Sequence, residues 1–328
     1  MATQEVAFLH RQLQERKQRL EAAIALAPDH AGLGSLLQQV DSALERMAKG
    51  TYGLCEECHA SVERERLLAD PLVCYCLDHL NEKQRSALQR DLDLAAQVQR
   101  NLLPRADLRA GCWETSFHYA PLGPVSGDYC DLIPSDGELF FVLGDVSGKG
   151  VAASMLMTQL HALFRSLTRV SLPLEQIVVL TNRVFCESAL AGHYATLVCG
   201  QAKPTGEVEI YNAGHLPAMA LQRGEIVQIE SAGLPLGMFC EITFSSTRLK
   251  LEAGDMLLLY TDGFSEARRA DEEYGVDRIA NLLRQSAGCC PAEVIGACLR
   301  ELDAFTDGPR FDDVTLLAIR CASGVHES

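Results

Sequence analysis

At 328 residues the chain is longer than one ordinary core and predicts two domains. Its 48% hydrophobic and 22% charged residues are those of a soluble globular protein. A formal net charge of -15 argues against a general nucleic-acid binder and against anionic membrane surfaces, and no apolar run approaches the roughly 20 residues of a membrane helix. The N-terminus, MATQEVAFLHRQLQERKQR, is amphipathic and charged, unlike a signal peptide, which predicts a cytoplasmic protein. There, thirteen cysteines are expected as free thiols plus a metal site, not as a disulfide framework.

Val6, Leu9, Leu13, Leu20 and Ile24 follow helical spacing until Pro28. Leu33, Leu36, Val40, Leu44 and Met47 form a second stripe that closes at Gly50. Residues 1–50 therefore predict a helical hairpin, either a packing unit or a dimerisation element. In residues 51–80, Cys55 and Cys58 form C-x2-C, and seventeen residues later Cys76 and His79 form C-x2-H. Two such knuckles make a tetrahedral soft-ligand site that suits Zn2+. Cys74 is an alternative ligand at less regular spacing. Four protein ligands leave no open position, so this zinc is expected to be structural and to hold together a segment with little core of its own. Tyr52-Gly53, Cys55, Cys58, Arg66-Leu67, Pro71 and Cys76 resemble the TraR/DksA-type zinc finger, with His79 where that family carries a fourth cysteine. Some members of that family reach into RNA polymerase with a long hairpin bearing an acidic tip. Here the hairpin is short and its turn, Ala27-Pro28-Asp29-His30, offers one acidic residue. The resemblance implies, as the lesser alternative, a transcription-associated binding protein that contacts RNA polymerase.

Residues 81–104 lack glycine, and proline is absent until Pro104. Leu88, Leu92, Ala95 and Leu102 stand at four-three spacing, with Gln99 at the remaining seam position. Such a seam fits a coiled coil whose register is fixed by its polar member, and hence a homodimer. It equally fits an amphipathic helix lying on its own domain. The string LDLAAQVQRNLLP looks like the helix that precedes the catalytic domain of SpoIIE-like phosphatases.

From residue 112 to 322 the pattern alternates. Strand candidates begin at Ser116, Asp128, Leu139, Thr196, Val208, Ala218, Ile226, Ser246, Met256 and Val314. Helix candidates are Val151–Arg169, Leu174–Leu190, Val276–Gln285 and Ala292–Phe305. This order is not the regular βαβα alternation of a doubly wound fold, and it predicts an α+β domain of two antiparallel sheets covered by helices. Four acidic segments stand where strands stop or glycine turns begin: GDYCD (127–131), GDVSGKG (144–150), YTDGFSEA (260–267) and FDDVT (311–315). Carboxylates gathered in this way repel one another unless cations fill the space between them, which points to hard divalent metals. GDVSGKG is not a phosphate loop, because Gly150 follows Lys149 where Ser or Thr is required. Ser126 lacks the preceding glycine of a nucleophile elbow. His215 reads as an acid, base or ligand, or as a buried turn histidine bonded to backbone.

With NAGHLP (212–217), GLPLG (233–237) and DDVTLL (312–317) in the same order, residues 115–321 resemble the metal-dependent protein phosphatase (PPM) family, SpoIIE-like branch. The resemblance implies an αββα sandwich with two Mn2+ or Mg2+ ions between its sheets. It implies that Asp145 bridges the ions and that the Val146 carbonyl helps hold one of them. Asp262 and Asp312 would hold the other, and Asp128 would bind directly or through water. Asp313 would stand behind these ligands and orient the loop. Ser147 occupies the position where the eukaryotic branch has its proposed acid, a histidine, and no arginine can be assigned as a phosphate clamp. The implied substrate is phosphoserine or phosphothreonine on a small bacterial regulator, such as a STAS-type anti-anti-sigma factor. A metal-dependent hydrolase of small phosphoesters is a further reading. The zinc domain and linker helix are expected to regulate the catalytic domain by biasing helices packed beside the metals.

Overall fold

The computed structural model describes residues 3–26, 33–79, 82–170, 172–189, 192–270, 272–306, 310 and 312–322. It divides into two compact units, Met1–Asp91 and Leu92–Ser328. No described helix is long and apolar enough to cross a membrane.

In the first unit, α1 (Thr3–Leu26) and α2 (Leu33–Ala48) form the predicted pair of helices. Leu13, Val40 and Ala43 are their buried contacts, flanked by Leu20, Leu44 and Met47. The turn at 27–30 lies outside the described residues. Tyr52 and Leu72 join the same apolar cluster, so the hairpin and the cysteine-rich segment share a core. A short helix, α3 (Arg64–Ala69), follows the first knuckle. Arg66 pins it by donating to the Tyr75 carbonyl at 2.9 Å and to Glu63 at 3.2 Å.

The linker helix α4 (Glu82–Leu102) crosses the division between the units. Its Gln99, the polar seam member, is bonded within the second unit. The side-chain amide is 4% exposed and both of its polar atoms are used inside the second unit. Nε2 donates to the Ser126 carbonyl at 2.7 Å, and Oε1 accepts from the Ser126 amide at 3.0 Å. Ala96 is buried beside it, whereas Leu94 and Val98 are exposed. The polar seam member thus binds the chain's own second unit, as the amphipathic-helix reading expects. The spacing is the same for both arrangements, so periodicity alone could not distinguish them.

The second unit builds two antiparallel sheets. Its strands are β1 (Arg109–Ala110), β2 (Trp113–Ala120), β3 (Asp128–Ser135), β4 (Glu138–Val146), β5 (Ala195–Ala202), β6 (Glu207–Ala213), β7 (Ala218–Gln222), β8 (Glu225–Ile229), β9 (Ser246–Lys250), β10 (Met256–Tyr260), β11 (Arg268–Arg269), β12 (Glu272–Glu273) and β13 (Val314–Cys321). Its remaining helices are α5 (Val151–Leu167), α6 (Leu174–Ser188), α7 (Asp262–Ser265), α8 (Val276–Gln285) and α9 (Pro291–Phe305). Every predicted strand and helix of this domain is present, with ends shifted by a few residues. The short elements β1, β11, β12 and α7 went unpredicted because two to four residues carry no periodic signal.

One sheet runs β1-β2-β13-β10-β7-β8 and the other β3-β4-β5-β6-β9, with β11-β12 as a small ribbon. Period-two alternation sends Leu139, Phe141 and Leu143 of β4 into the core between the sheets, and Phe140 and Val142 toward α5 and α6. Val294, Cys298, Leu302 and Phe305 of α9 cover the opposite sheet. The result is the expected αββα sandwich. Pro291 at the first helical position starts α9, and the Cys290 amide donates to Glu293 at 2.7 Å. Asp131, fully buried on β3, is clamped by the Arg165 guanidinium of α5 at 2.7 and 2.6 Å. This bidentate pair fixes α5, which starts directly after GDVSGKG, onto its sheet.

The expectation of free thiols fails at one pair. Cys186 of α6 and Cys240 are joined as a disulfide across 54 residues. No short spacing marks such a pair in sequence, because only the fold brings the two together. Cys130, Cys199, Cys298 and Cys321 are free thiols, buried as small apolar side chains are.

Candidate metal centre

The acidic segments meet because of strand register. Antiparallel pairing of β3 with β4 sets Asp128 opposite Asp145. Pairing of β10 with β13 sets Tyr260 opposite Leu316, so Asp262 and Asp312 lie just beyond the ends of neighbouring strands. The two sheets thus contribute carboxylates at one end of the sandwich. Close approach there demands glycine. A Cβ on Gly127 would come within 2.8 Å of the Val146 carbonyl oxygen and 3.0 Å of Asp145 Oδ1, and one on Gly263 would meet the Asp313 carbonyl at 2.0 Å.

Two threonines stitch the sheets together beneath the aspartates. Thr261 donates to Asp128 Oδ2 at 3.0 Å, and Thr315 donates to the same oxygen. The Thr315 amide in turn donates to Thr261 Oγ1 at 2.9 Å. Asp128, 1% exposed, is therefore oriented by hydroxyls from both strands of the facing sheet. Sequence reasoning missed these residues, since threonine in a strand reads as an ordinary β-former. Asp313 accepts from the Leu122 amide at 2.6 Å and from the Ser126 hydroxyl, so it anchors the loop before Asp128. Lys149 donates to Asp312 Oδ2 at 2.8 Å.

Burial, followed by the carboxylates of Asp262 and Asp312, pushes Asp145 up to about 7. Burial and then Asp145 raise Asp128 well above the usual carboxylate range. Burial and then Asp312 raise Asp262. Each acid thus makes its neighbour harder to ionise. A donor set of hard oxygens under mutual repulsion fits divalent cations such as Mn2+ or Mg2+.

Neighbouring side chains are already committed. Ser147 Oγ accepts from the Tyr194 amide at 2.9 Å. His215 is buried, and desolvation lowers it to about 4, so it is neutral at pH 7. Its Nε2 donates to the Tyr260 carbonyl at 3.1 Å, which leaves Nδ1 to accept from Thr196 Oγ1 at 2.9 Å. It is a turn histidine bonded to backbone and holds β10 against β5. Two cavities of about 350 Å3 flank the centre. Asp145, Ser147 and His215 line one, Arg268, Leu302 and Arg310 line the other, and Asp262 and Glu266 form the wall common to both.

In the first unit, Cys55, Cys58, Cys76 and His79 bring their ligand atoms within 4.8 Å of one another. Cys58 Sγ lies 3.7 Å from Cys76 Sγ, which in turn lies 3.2 Å from His79 Nδ1. A tetrahedral ion at about 2.3 Å from each sulfur would separate the sulfurs by roughly 3.8 Å, so this donor set fits zinc. Burial opposes ionisation of Cys55, but amide donors from Cys58, Cys76 and Glu57 bring its thiol down to about 6. Cys74 stands outside the group.

Two facing antiparallel sheets between helical layers, with aspartates collected at one end, define a domain of the PP2C fold. Residues 135–322, more than half the chain, match the family described as Stage II sporulation protein E (SpoIIE), and the chain belongs to that family. It is 29% identical to Protein IcfG of Synechocystis sp. over 265 residues, 70% of this chain and 41% of that protein. It is 23% identical to Phosphoserine phosphatase RsbU of Bacillus subtilis over 236 residues, covering 71% of this chain and 70% of the relative. The solved SiaA-PP2C domain of Pseudomonas aeruginosa superposes with a TM-score of 0.63 at 21% identity, over 72% of this chain and 97% of that one.

A cation needs the ionised form of Asp145, and below about pH 7 the protonated form prevails in the metal-free chain. Mn2+ affinity is therefore expected to fall as pH drops from 8 to 6, by up to about tenfold per pH unit for each proton displaced. Calorimetric titrations in buffers of different ionisation enthalpy should show proton release at pH 6. Constant affinity over that range, without proton release, would contradict the assignment.

Proposed function

We propose that this chain is a metal-dependent protein serine/threonine phosphatase acting in the cytoplasm on phosphoserine or phosphothreonine of a bacterial regulatory protein. The convergence of Asp128, Asp145, Asp262 and Asp312 at one end of the sandwich carries this reading. When bound, two divalent ions supply an activated water and neutralise the phosphoryl charge. Asp145 and the Val146 carbonyl would hold one ion, and Asp262 and Asp312 the other, with Asp145 placed to serve both. The hydroxyls of Thr261 and Thr315 fix the Asp128 carboxylate, and Asp313 fixes the loop in front of it. Neutral His215, with Nε2 donating to the Tyr260 carbonyl and Nδ1 accepting from Thr196, has no proton to give the leaving alkoxide.

The likeness to RsbU, named a phosphoserine phosphatase, supports a phosphoprotein substrate, and a STAS-type regulator is the partner we infer. In the first unit, a TraR/DksA-type finger would hold a structural Zn2+ through Cys55, Cys58, Cys76 and His79 and pass regulation along α4. If two copies pair along α4, exposed Leu94 and Val98 would form the contact, because Gln99 is taken.

With Mn2+, the wild-type chain is expected to hydrolyse p-nitrophenyl phosphate and to lose turnover on chelation. Asp262→Asn should reduce it about 100-fold or more. Equal turnover in wild type and variant would overturn the site.

Zinc analysis of the purified protein should find one ion per chain, and Cys76→Ser should abolish it. Hydrogen exchange should then rise over residues 51–79, since structural zinc contributes about 10–16 kcal/mol to such segments. Wild-type protein without zinc, or unchanged exchange in the variant, would count against the finger.

A further inference from the structure

The second cavity beside the metal centre has no assigned role. It is about 350 Å3, within the range of ligand pockets, and lies between the segment that follows Asp262, the last turn of α9 and the approach to β13. Its lining is mixed. Asp262, Glu266 and Asp312 are shared with the metal centre or border it, Ala267 and Leu302 supply apolar wall, and Arg268 and Arg310 add two guanidiniums. In a chain of net charge -15, two arginines that line one cavity offer a local place for an anionic group, once the neighbouring carboxylates are taken up by cations.

The local arginines differ in how firmly they are held. Arg269 and Arg278 stack their guanidiniums over the Phe305 ring at 4.6 and 5.0 Å, and Arg278 also donates to the Glu273 and Tyr274 carbonyls. Arg268 instead pairs with Glu273 at 2.7 Å and Arg310 with Asp303 at 3.3 Å. Those partner carboxylates are 49% and 69% exposed, so both pairs are solvated, weak, and readily exchanged for a ligand carboxylate. A bound carboxylate would be received in fork geometry while its methylene stem lies along Leu302 and Ala267.

Because Asp262 and Asp312 line both the metal centre and this cavity, its occupant must lie close to the reacting phosphate. At about 3.3–3.6 Å per extended residue, that means one to three positions from the phosphoserine. We propose that this cavity is a substrate subsite that selects an acidic residue flanking the phosphoserine, with Arg268 and Arg310 receiving its carboxylate. The inference rests on the phosphatase reading and adds the substrate's local chemistry to it.

Phosphoserine peptides that differ only in carrying Glu or Lys, at each of three positions on either side, test it with the full chain and Mn2+. At the best position, wild type is expected to prefer Glu over Lys by about five- to tenfold in kcat/KM. The Arg268→Glu/Arg310→Glu variant should invert that ratio, and the corresponding double Gln variant should bring it close to one. Each ratio is internal to one enzyme, so a general loss of activity cancels. Equal turnover of Glu and Lys peptides by wild type at every position, or a preference unchanged in both variants, overturns the subsite alone. Absence of manganese-dependent turnover of every peptide and of p-nitrophenyl phosphate overturns the phosphatase reading beneath it.

Discussion

Mutual repulsion among carboxylates gathered around one buried aspartate, Asp128, is the constraint on which the second unit depends. Asp128 and Asp145 face each other across one sheet, and Asp262 and Asp312 project from the end of the other. Each raises the cost of ionising its neighbours, so the arrangement is unfavourable without cations. The fold holds it together by apolar packing between the sheets and on both outer faces. Locally, the Thr261–Asp128–Thr315 hydrogen bonds and the Asp313 anchor hold the acids in place at a cleft where water alone would drive them apart. Stability spent there is returned as metal affinity, which is how a preorganised site differs from a chance group of surface acids.

Much of this was legible in sequence because the site is built from strand ends. A strand shows as a run of alternating or apolar residues, and a carboxylate where the run stops has few places to go but the edge of the sandwich. The order of GDYCD, GDVSGKG, NAGHLP, YTDGFSEA and DDVTLL then narrowed the fold to one architecture. What escaped notice depends on contacts between segments distant in sequence. Thr261 and Thr315 gain their role from a shared carboxylate on the facing sheet, which no local pattern encodes. Cys186 and Cys240 meet only once α6 lies beside the segment after Gly237, whose amide donates a hydrogen bond to Asn182 Oδ1 of α6 at 3.0 Å. Arg268 and Arg310 belong to one cavity although α8 and α9 separate them in the chain.

Gln99 shows the same limit from the other side. Its seam position was read correctly as polar and specific, yet specificity is directed at Ser126 within the chain. Ser126 also bonds Asp313 and, through its hydroxyl, the Asp128 amide at 2.9 Å. The linker helix is therefore two hydrogen bonds away from the Asp313 carboxylate and from the Asp128 amide. A displacement of α4 that broke the Gln99 amide pair would be felt at Asp128 and Asp313 through a connected polar network, a physical path by which events on the helix could reach the centre.

The most direct test of the account is to locate the metals. Crystals grown with Mn2+ should show two anomalous-scattering peaks about 3.5–4 Å apart at the end of the sandwich. Asp145 should lie between them, with Asp262 and Asp312 on one peak and the Val146 carbonyl on the other. A single peak, or manganese bound away from these aspartates, would contradict the two-metal centre on which the functional reading stands.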